Sequence, residues 1–176
     1  MAGHNKWSQI KHKKAATDAK RSQVFSKYSK LISIEAKRAG GRVDDPGLRA
    51  VIERARAVDM PKENIERAIQ KGNSGTGDDL ERVTYETYGP GGSAILIETV
   101  TDSRNRTAQE LRHLLSSLGY ALAEPGSAAW AFKKIGASWE PTTTTPLSEN
   151  DEKGLEELLT ALDEHDDVED VFTNAA

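Results

Sequence analysis

Apolar residues fall into two regimes along this chain, and the change comes near residue 72. In 24–39, Val24, Phe25, Tyr28, Leu31, Ile32 and Ala36 recur at spacings of three and four, which places them on one side of a helix. Gly40-Gly41 then close that helix. Over 48–58, Leu48, Val51, Ile52 and Ala55 repeat the pattern. Pro61 suits the first position of a third helix, with Ile65, Ala68 and Ile69 inward and Gly72 as its stop. Three short helices sharing a small core are expected. Segment 8–21 has few large apolar residues near it beyond Trp7 and Ile10, so it is expected to be helical only when bound.

Beyond GNSGTGDD (72–79), a Gly/Ser/Asp stretch that reads as a linker, the period shortens. RVTYETYG and SAILIETV are rich in β-branched and aromatic residues and predict two strands joined through Gly89-Pro90-Gly91-Gly92. Thr107 and Glu110 have capping-box spacing, predicting the start of a helix that buries Ala108, Leu111, Leu114, Leu115 and Leu118. Ala128–Lys133 reads as a strand with Trp130 and Phe132 on one face. Ser148 suits the cap of a last helix with Leu155, Leu158, Leu159 and Leu162 inward, and DVEDVFT (167–173) as a closing strand. EPTTTTP (140–146) disfavours a helix and marks a second boundary. The predicted class is α+β: an N-terminal three-helix domain (1–72), a linker (73–79), and an α+β domain (80–176) with a mostly antiparallel sheet and helices on one face.

Charge adds a polarity that hydrophobic periodicity does not show. The 176 residues carry a formal charge of −4, yet residues 1–72 hold 17 Lys+Arg against 8 Asp+Glu, while 73–176 hold 7 against 20. The excess is densest at the start, where MAGHNKWSQIKHKK places four lysines, two histidines and a tryptophan with no acid before Asp18. Lysines neutralise phosphates and release counterions, and Trp or His rings stack on unpaired bases. Lys6, Trp7, Lys11, His12, Lys13 and Lys14 are therefore candidate nucleic-acid contacts, extended along the first helix by Lys20, Arg21, Lys27 and Lys30. The alternative is a solvated lysine-rich tail with Trp7 folded onto the core. Arg104, Arg106 and Arg112 stand out in the acidic half, with the first two read as lying just before the helix. They are either hydrogen-bonding groups at a helix start or a second polyanion contact.

Other chemistries lack their patterns. There is no cysteine, so disulfides, thiolate metal sites and thiol nucleophiles are excluded, a composition that suits a cytoplasmic protein. His4, His12, His113 and His165 show no metal-ligand spacing. No G-x-S-x-G nucleophile elbow occurs, and neither glycine cluster has the Lys-Ser/Thr ending of a phosphate loop. No apolar run approaches the roughly 20 residues of a membrane span, and no apolar segment follows the basic start as a secretory signal requires. The expectation is a non-enzymatic protein that uses no metal or cofactor and no membrane.

Four ordered motifs carry a family resemblance: MAGHNKWSQIKHKKAATDAKR, DMPKENIERAIQKG, YETYGPGGSAILIETVTDSRNRTAQELRH and EPGSAAWAF, with DDVEDVFTN at the end. Together they resemble the YebC/PmpR family, which includes the mitochondrial translational activator of cytochrome c oxidase. The resemblance implies a non-enzymatic regulator with an N-terminal helical domain and α+β domains. Its members are described as DNA-binding transcriptional regulators and as ribosome-associated factors that relieve stalling. The implied partner is ribosomal RNA, the ribosome, or duplex DNA. Typical members carry a further α+β domain between the WAF-like segment and the last helix. Here AWAFKKIG runs through ASWEPTTTTP almost directly into LSENDEKGLEELL, so a deletion join is expected near 137–146.

Overall fold

The computed structural model describes residues 18–75, 79–136 and 138–176. The chain forms two compact units, one of residues 16–81 with 100–102, the other of residues 82–99 with 103–176.

The first unit is helical: α1 (Asp18–Ala39), α2 (Pro46–Ala57) and α3 (Lys62–Asn73). Its core gathers Leu31, Ile32, Ala36, Leu48, Val51, Ala55, Ile65 and Ala68, the inward positions read from the spacing, together with Met60. α2 begins two residues earlier than its apolar pattern, because Pro46 occupies the first turn and Asp45 caps it. The Asp45 carboxylate accepts the Gly47 and Leu48 N–H groups at 3.0 and 3.1 Å.

Gly72 differs from its expected role. α3 continues through it to Asn73, and the left-handed glycine lies beyond, at Gly75 (φ +64°). A Cβ on Gly72 would stand 2.3 Å from the Ser33 carbonyl oxygen and 2.8 Å from the Ala36 Cβ. The glycine is a packing residue that lets α3 press against α1. Ser33 completes that contact by donating its hydroxyl to the Ala68 carbonyl at 2.9 Å.

The second unit is a four-stranded sheet in the order β3-β1-β2-β6, from β1 (Glu81–Tyr88), β2 (Ala94–Thr101), β3 (Leu122–Ala123) and β6 (Val168–Thr173). β1 pairs antiparallel with β3, and β2 with β6. Between β1 and β2 the predicted turn is present: Gly89 N–H reaches the Ser93 carbonyl at 2.8 Å, with Gly91 and Gly92 at positive φ. Two helices, α4 (Arg104–Ser117) and α5 (Glu149–Asp163), cover one sheet face. Leu111, Leu115 and the four predicted leucines of α5 pack there on Ile95, Ile97, Val168 and Val171. A register shift between Glu98 and Thr99 brings Val168 and Val171, three apart, into the same cluster. Complete burial of each leucine contributes about 1.5–3 kcal/mol. The opposite face, Ala94, Leu96 and Phe172, is covered by Ala128, Ala131, Phe132 and Trp139 around the hairpin β4 (Phe132–Ile135) and β5 (Ser138–Pro141).

Two local expectations change here. α4 starts one turn before Thr107: Ser103 is its cap, accepting the Arg106 N–H at 3.4 Å, so Arg104, Arg106 and Arg112 all lie within the helix. Thr107 instead turns its hydroxyl inward, to Asp167 at 2.7 Å. The stretch 128–133 is not one strand but a 3-10 turn (Ala129–Ala131) leading into β4. The cause is Glu86, whose buried carboxylate takes the N–H groups of Gly126, Ala128 and Ala129 at 2.6–2.8 Å, so these donors are unavailable to a strand ladder. Trp130 and Phe132 therefore part company: Phe132 is buried, Trp130 is 62% exposed. Ser148 caps α5 as expected. The threonine run is tied down at Thr145, whose N–H donates to the Asn174 carbonyl at 2.9 Å.

Candidate nucleic-acid interface

α1 is a 22-residue helix, about 33 Å long at 1.5 Å per residue. Its inward stripe leaves the remaining arc to polar residues. Lys20 and Lys27, seven apart, fall two turns from each other on one flank, and Lys30 follows one turn on. All three are half-buried. Arg21 is exposed near the start of α1. Lys6, Trp7, Lys11, His12, Lys13 and Lys14 lie outside the described residues, as does most of segment 8–21. Its last four residues are the first turn of α1.

Towards the C-terminal end of α1 the cations are tied to acids. Lys37 bonds Asp79 at 3.1 Å, Arg38 bonds Glu35 at 2.8 Å and Asp45 at 2.7 Å, and Arg42 approaches Asp45 at 3.6 Å. The Leu48 N–H, then the Arg38 charge, hold the Asp45 carboxyl below the ordinary carboxylate range. The Glu35 hydrogen bond and charge, with Asp45, raise Arg38 above its already high value. The last turn of α1 is neutralised by Glu35, Asp45 and Asp79; in the sequence, the run from Lys20 to Lys30 holds four cations and no acid. α2 adds Arg49, exposed, and Arg54, whose guanidinium lies 5.8 Å from the centre of the Tyr28 ring.

In the second unit the three arginines of α4 separate. All three are exposed, but the Arg106 guanidinium bonds the buried Asp167 at 2.5 Å and approaches Glu110 at 3.7 Å. Glu110, His165 and Asp167 stand close enough to share a cation. Their donor atoms are already engaged: Arg106 and Thr107 share one Asp167 oxygen, His165 Nε2 lies 3.1 Å from Glu110, and its Nδ1 accepts the Asp167 N–H. The cluster is an ion-pair network joining α4 to the start of β6.

Sequence reasoning missed the surface beside the 3-10 turn. Trp130 donates its indole N–H to the Tyr88 hydroxyl at 2.9 Å, and that hydroxyl donates to the Ser127 carbonyl. Alternation within an assumed strand put Trp130 beside Phe132. Nothing local to 128–133 signals that Glu86, over 40 positions earlier, would bend the chain there.

Two family models match the chain. A model described as the TACO1/YebC protein N-terminal domain matches residues 5–75. One described as the TACO1/YebC second and third domain matches residues 80–138 and 135–175. A probable transcriptional regulatory protein of Thermotoga maritima is 49% identical over 161 residues, covering 90% of this chain and 61% of that relative. One of Thermosipho melanesiensis is 54% identical over 138 residues, covering 77% of this chain and 55% of its own length. The chain thus spans less than two thirds of the length of these curated relatives. The crystal structure of a conserved hypothetical protein from Aquifex aeolicus superposes with a TM-score of 0.86 at 30% identity, covering 97% of this chain and 96% of that one.

Proposed function

The chain belongs to the TACO1/YebC family, and from that premise we propose that it is a non-enzymatic, nucleic-acid-binding regulator of gene expression, acting on RNA at the ribosome in the cytoplasm. The observation that carries this reading is the acid-free run of cations from Lys20 to Lys30 on α1, at the head of a chain whose second half is strongly acidic. The N-terminal arm (Lys6, Trp7, Lys11, His12, Lys13, Lys14) extends this run and supplies a stacking ring. A lysine-rich arm with aromatic rings suits irregular RNA better than a smooth duplex, because unpaired bases offer faces to stack on. The acidic surface of α5 turns phosphate away and so orients the molecule. Arg104 and Arg112 are candidates for a secondary contact. Arg106 contributes less to it, since Asp167 and Glu110 offset its charge.

A second reading, DNA-binding transcriptional regulation, is favoured by the names of the relatives. Two measurements separate them. Ribosome co-sedimentation at moderate salt is expected for the first, and absence from ribosomal fractions would sink it. Tighter binding of a promoter duplex than of its scrambled counterpart is expected only for the second. In either case Lys20→Glu, Lys27→Glu and Lys30→Glu together should weaken binding at least about tenfold and flatten its salt dependence.

We further infer that an internal part of the third domain is missing, with the join near 137–146. Supporting this, the two segments matched by the second-and-third-domain model meet at 135–138, in the β4–β5 hairpin.

A further inference from the structure

We propose that Trp130, backed by Tyr88, is a preorganised stacking platform for an unpaired nucleobase, with one lysine of the following strand, Lys133 or Lys134, receiving an adjoining phosphate. This rests on the nucleic-acid reading above and places a second contact in the acidic half of the chain. Four observations carry it.

Trp130 is 62% exposed although its neighbours Ala131 and Phe132 are buried, so a large aromatic surface faces solvent on a segment otherwise packed onto the sheet. Its ring is held rather than loose, because the indole N–H is fixed to the Tyr88 hydroxyl and that hydroxyl to the Ser127 carbonyl. The segment presenting it is locked by the buried Glu86 carboxylate, which takes three of its backbone N–H groups. A surface tryptophan anchored in this way has already lost the ring freedom that a ligand would otherwise have to freeze.

The fourth observation is charge. Residues 125–139 contain Lys133 and Lys134 and no acid, within a half-chain holding 20 acids and only 5 other cations. Lys134 lies 5.2 Å from the centre of the Trp139 ring, while Lys133 and Ile135 are exposed on the same hairpin strand. Glu124 and Glu140 bound the patch, and Glu140 stands opposite Lys133 in the hairpin register. They limit the phosphate contact to a single charge, so stacking supplies most of the affinity. Exposed aromatics interleaved with lysines are the composition of surfaces that bind single strands without reading sequence.

The test is a titration of the full chain with fluorophore-labelled U15 and dT15 oligomers, reading anisotropy for binding and tryptophan emission for stacking. A component of the emission quenched at saturation, present in the parent and absent in Trp130→Phe, is expected. Trp130→Ala should weaken binding about five- to fiftyfold, from the usual contribution of one stacked base. Trp130→Phe, which keeps a ring, should recover part of that loss. Lys133→Ala with Lys134→Ala should weaken binding less and lower the salt slope by about one charge. Circular dichroism melting should match the parent for both tryptophan variants, since the ring is exposed. If the oligomers bind but neither quenching nor affinity depends on Trp130, the platform is refuted while the nucleic-acid reading stands. If neither oligomer, ribosomal RNA nor duplex DNA binds the parent, that reading falls and this inference with it. Quenching of Trp130 by a proline-rich peptide but by neither oligomer would also overturn it, in favour of a polypeptide occupant.

Discussion

The two units reach compactness by different routes. In the helical unit, α1 and α3 meet through small residues: Gly72 sits against the Ser33 carbonyl and Ala36, and Ser33 bonds across to Ala68. In the sheet unit, leucines at positions 155, 158, 159 and 162 fill the space between α5 and the strands. One interface is set by how closely two backbones can approach, the other by how much apolar surface is removed from water. Their surfaces differ as sharply. Cations dominate the outer face of α1, while α5 exposes mainly glutamates. A small-residue seam needs few large side chains from a 12-residue helix such as α3, whereas the leucine-rich face of α5 confines polar residues to its solvent side.

Substitutions of decreasing effect probe this contrast. Leu158→Ala should cost about 4 kcal/mol by opening a cavity at a fully buried site, with amide-exchange protection lost chiefly from α5, β2 and β6. Gly72→Val should cost about 3 kcal/mol, with protection lost from α1 and α3, because the new side chain meets a carbonyl oxygen and not a flexible tip. A Gly72 variant as stable as the parent would show that close approach does not govern the helical seam. Arg106→Ala should cost about 2 kcal/mol in thermal melting, since the buried Asp167 loses the guanidinium that bonds it.

The smallest effect concerns pH. Asp45 has its folded-state pKa lowered by the Leu48 N–H and then by Arg38. Its stabilisation is therefore complete above the unfolded value of about 3.9 and is lost as pH falls through the lower folded value. Asp45→Asn keeps a capping oxygen and removes the titration. Unfolding of α2 between about pH 4 and pH 2 should then depend less on pH than in the parent, as followed by amide exchange or circular dichroism. An unchanged acid limb would show that other carboxylates carry it.

Much of this architecture was legible in advance. The spacing of Leu31, Ile32 and Ala36, of Leu48, Val51 and Ala55, and of the α5 leucines identified helix faces that are indeed buried, because a 3.6-residue period can bury only one side. The turn at Gly89–Gly92 was equally clear, since positive φ at adjacent positions requires glycine. The misplaced boundaries have a common origin. Thr107 has capping-box spacing to Glu110, but Ser103 caps the helix, and the Thr107 hydroxyl is taken by Asp167, 60 positions away. Gly72 resembles a helix stop, but its use depends on Ser33 in another helix. Of the candidate interface, the cationic character of α1 could be read directly. The neutralisation of Arg38 and Arg42 by Asp45 depended on how the α1–α2 loop folds back.

The sequence by itself determined the helices and the strands β1, β2 and β6, the buried side of each helix and the opposed charges of the two halves, because these follow from local periodicity and composition. Only the tertiary structure decided which polar groups meet across 40 to 61 positions: Glu86 with the 126–129 backbone, Arg106 and Thr107 with Asp167, Tyr88 with Trp130. Such pairs leave no local period, since a hydrogen-bonding group is satisfied by any partner the fold brings within reach. They determine whether a charge such as Arg106 is offset within the fold, and whether an aromatic ring such as Trp130 is buried or held out to solvent.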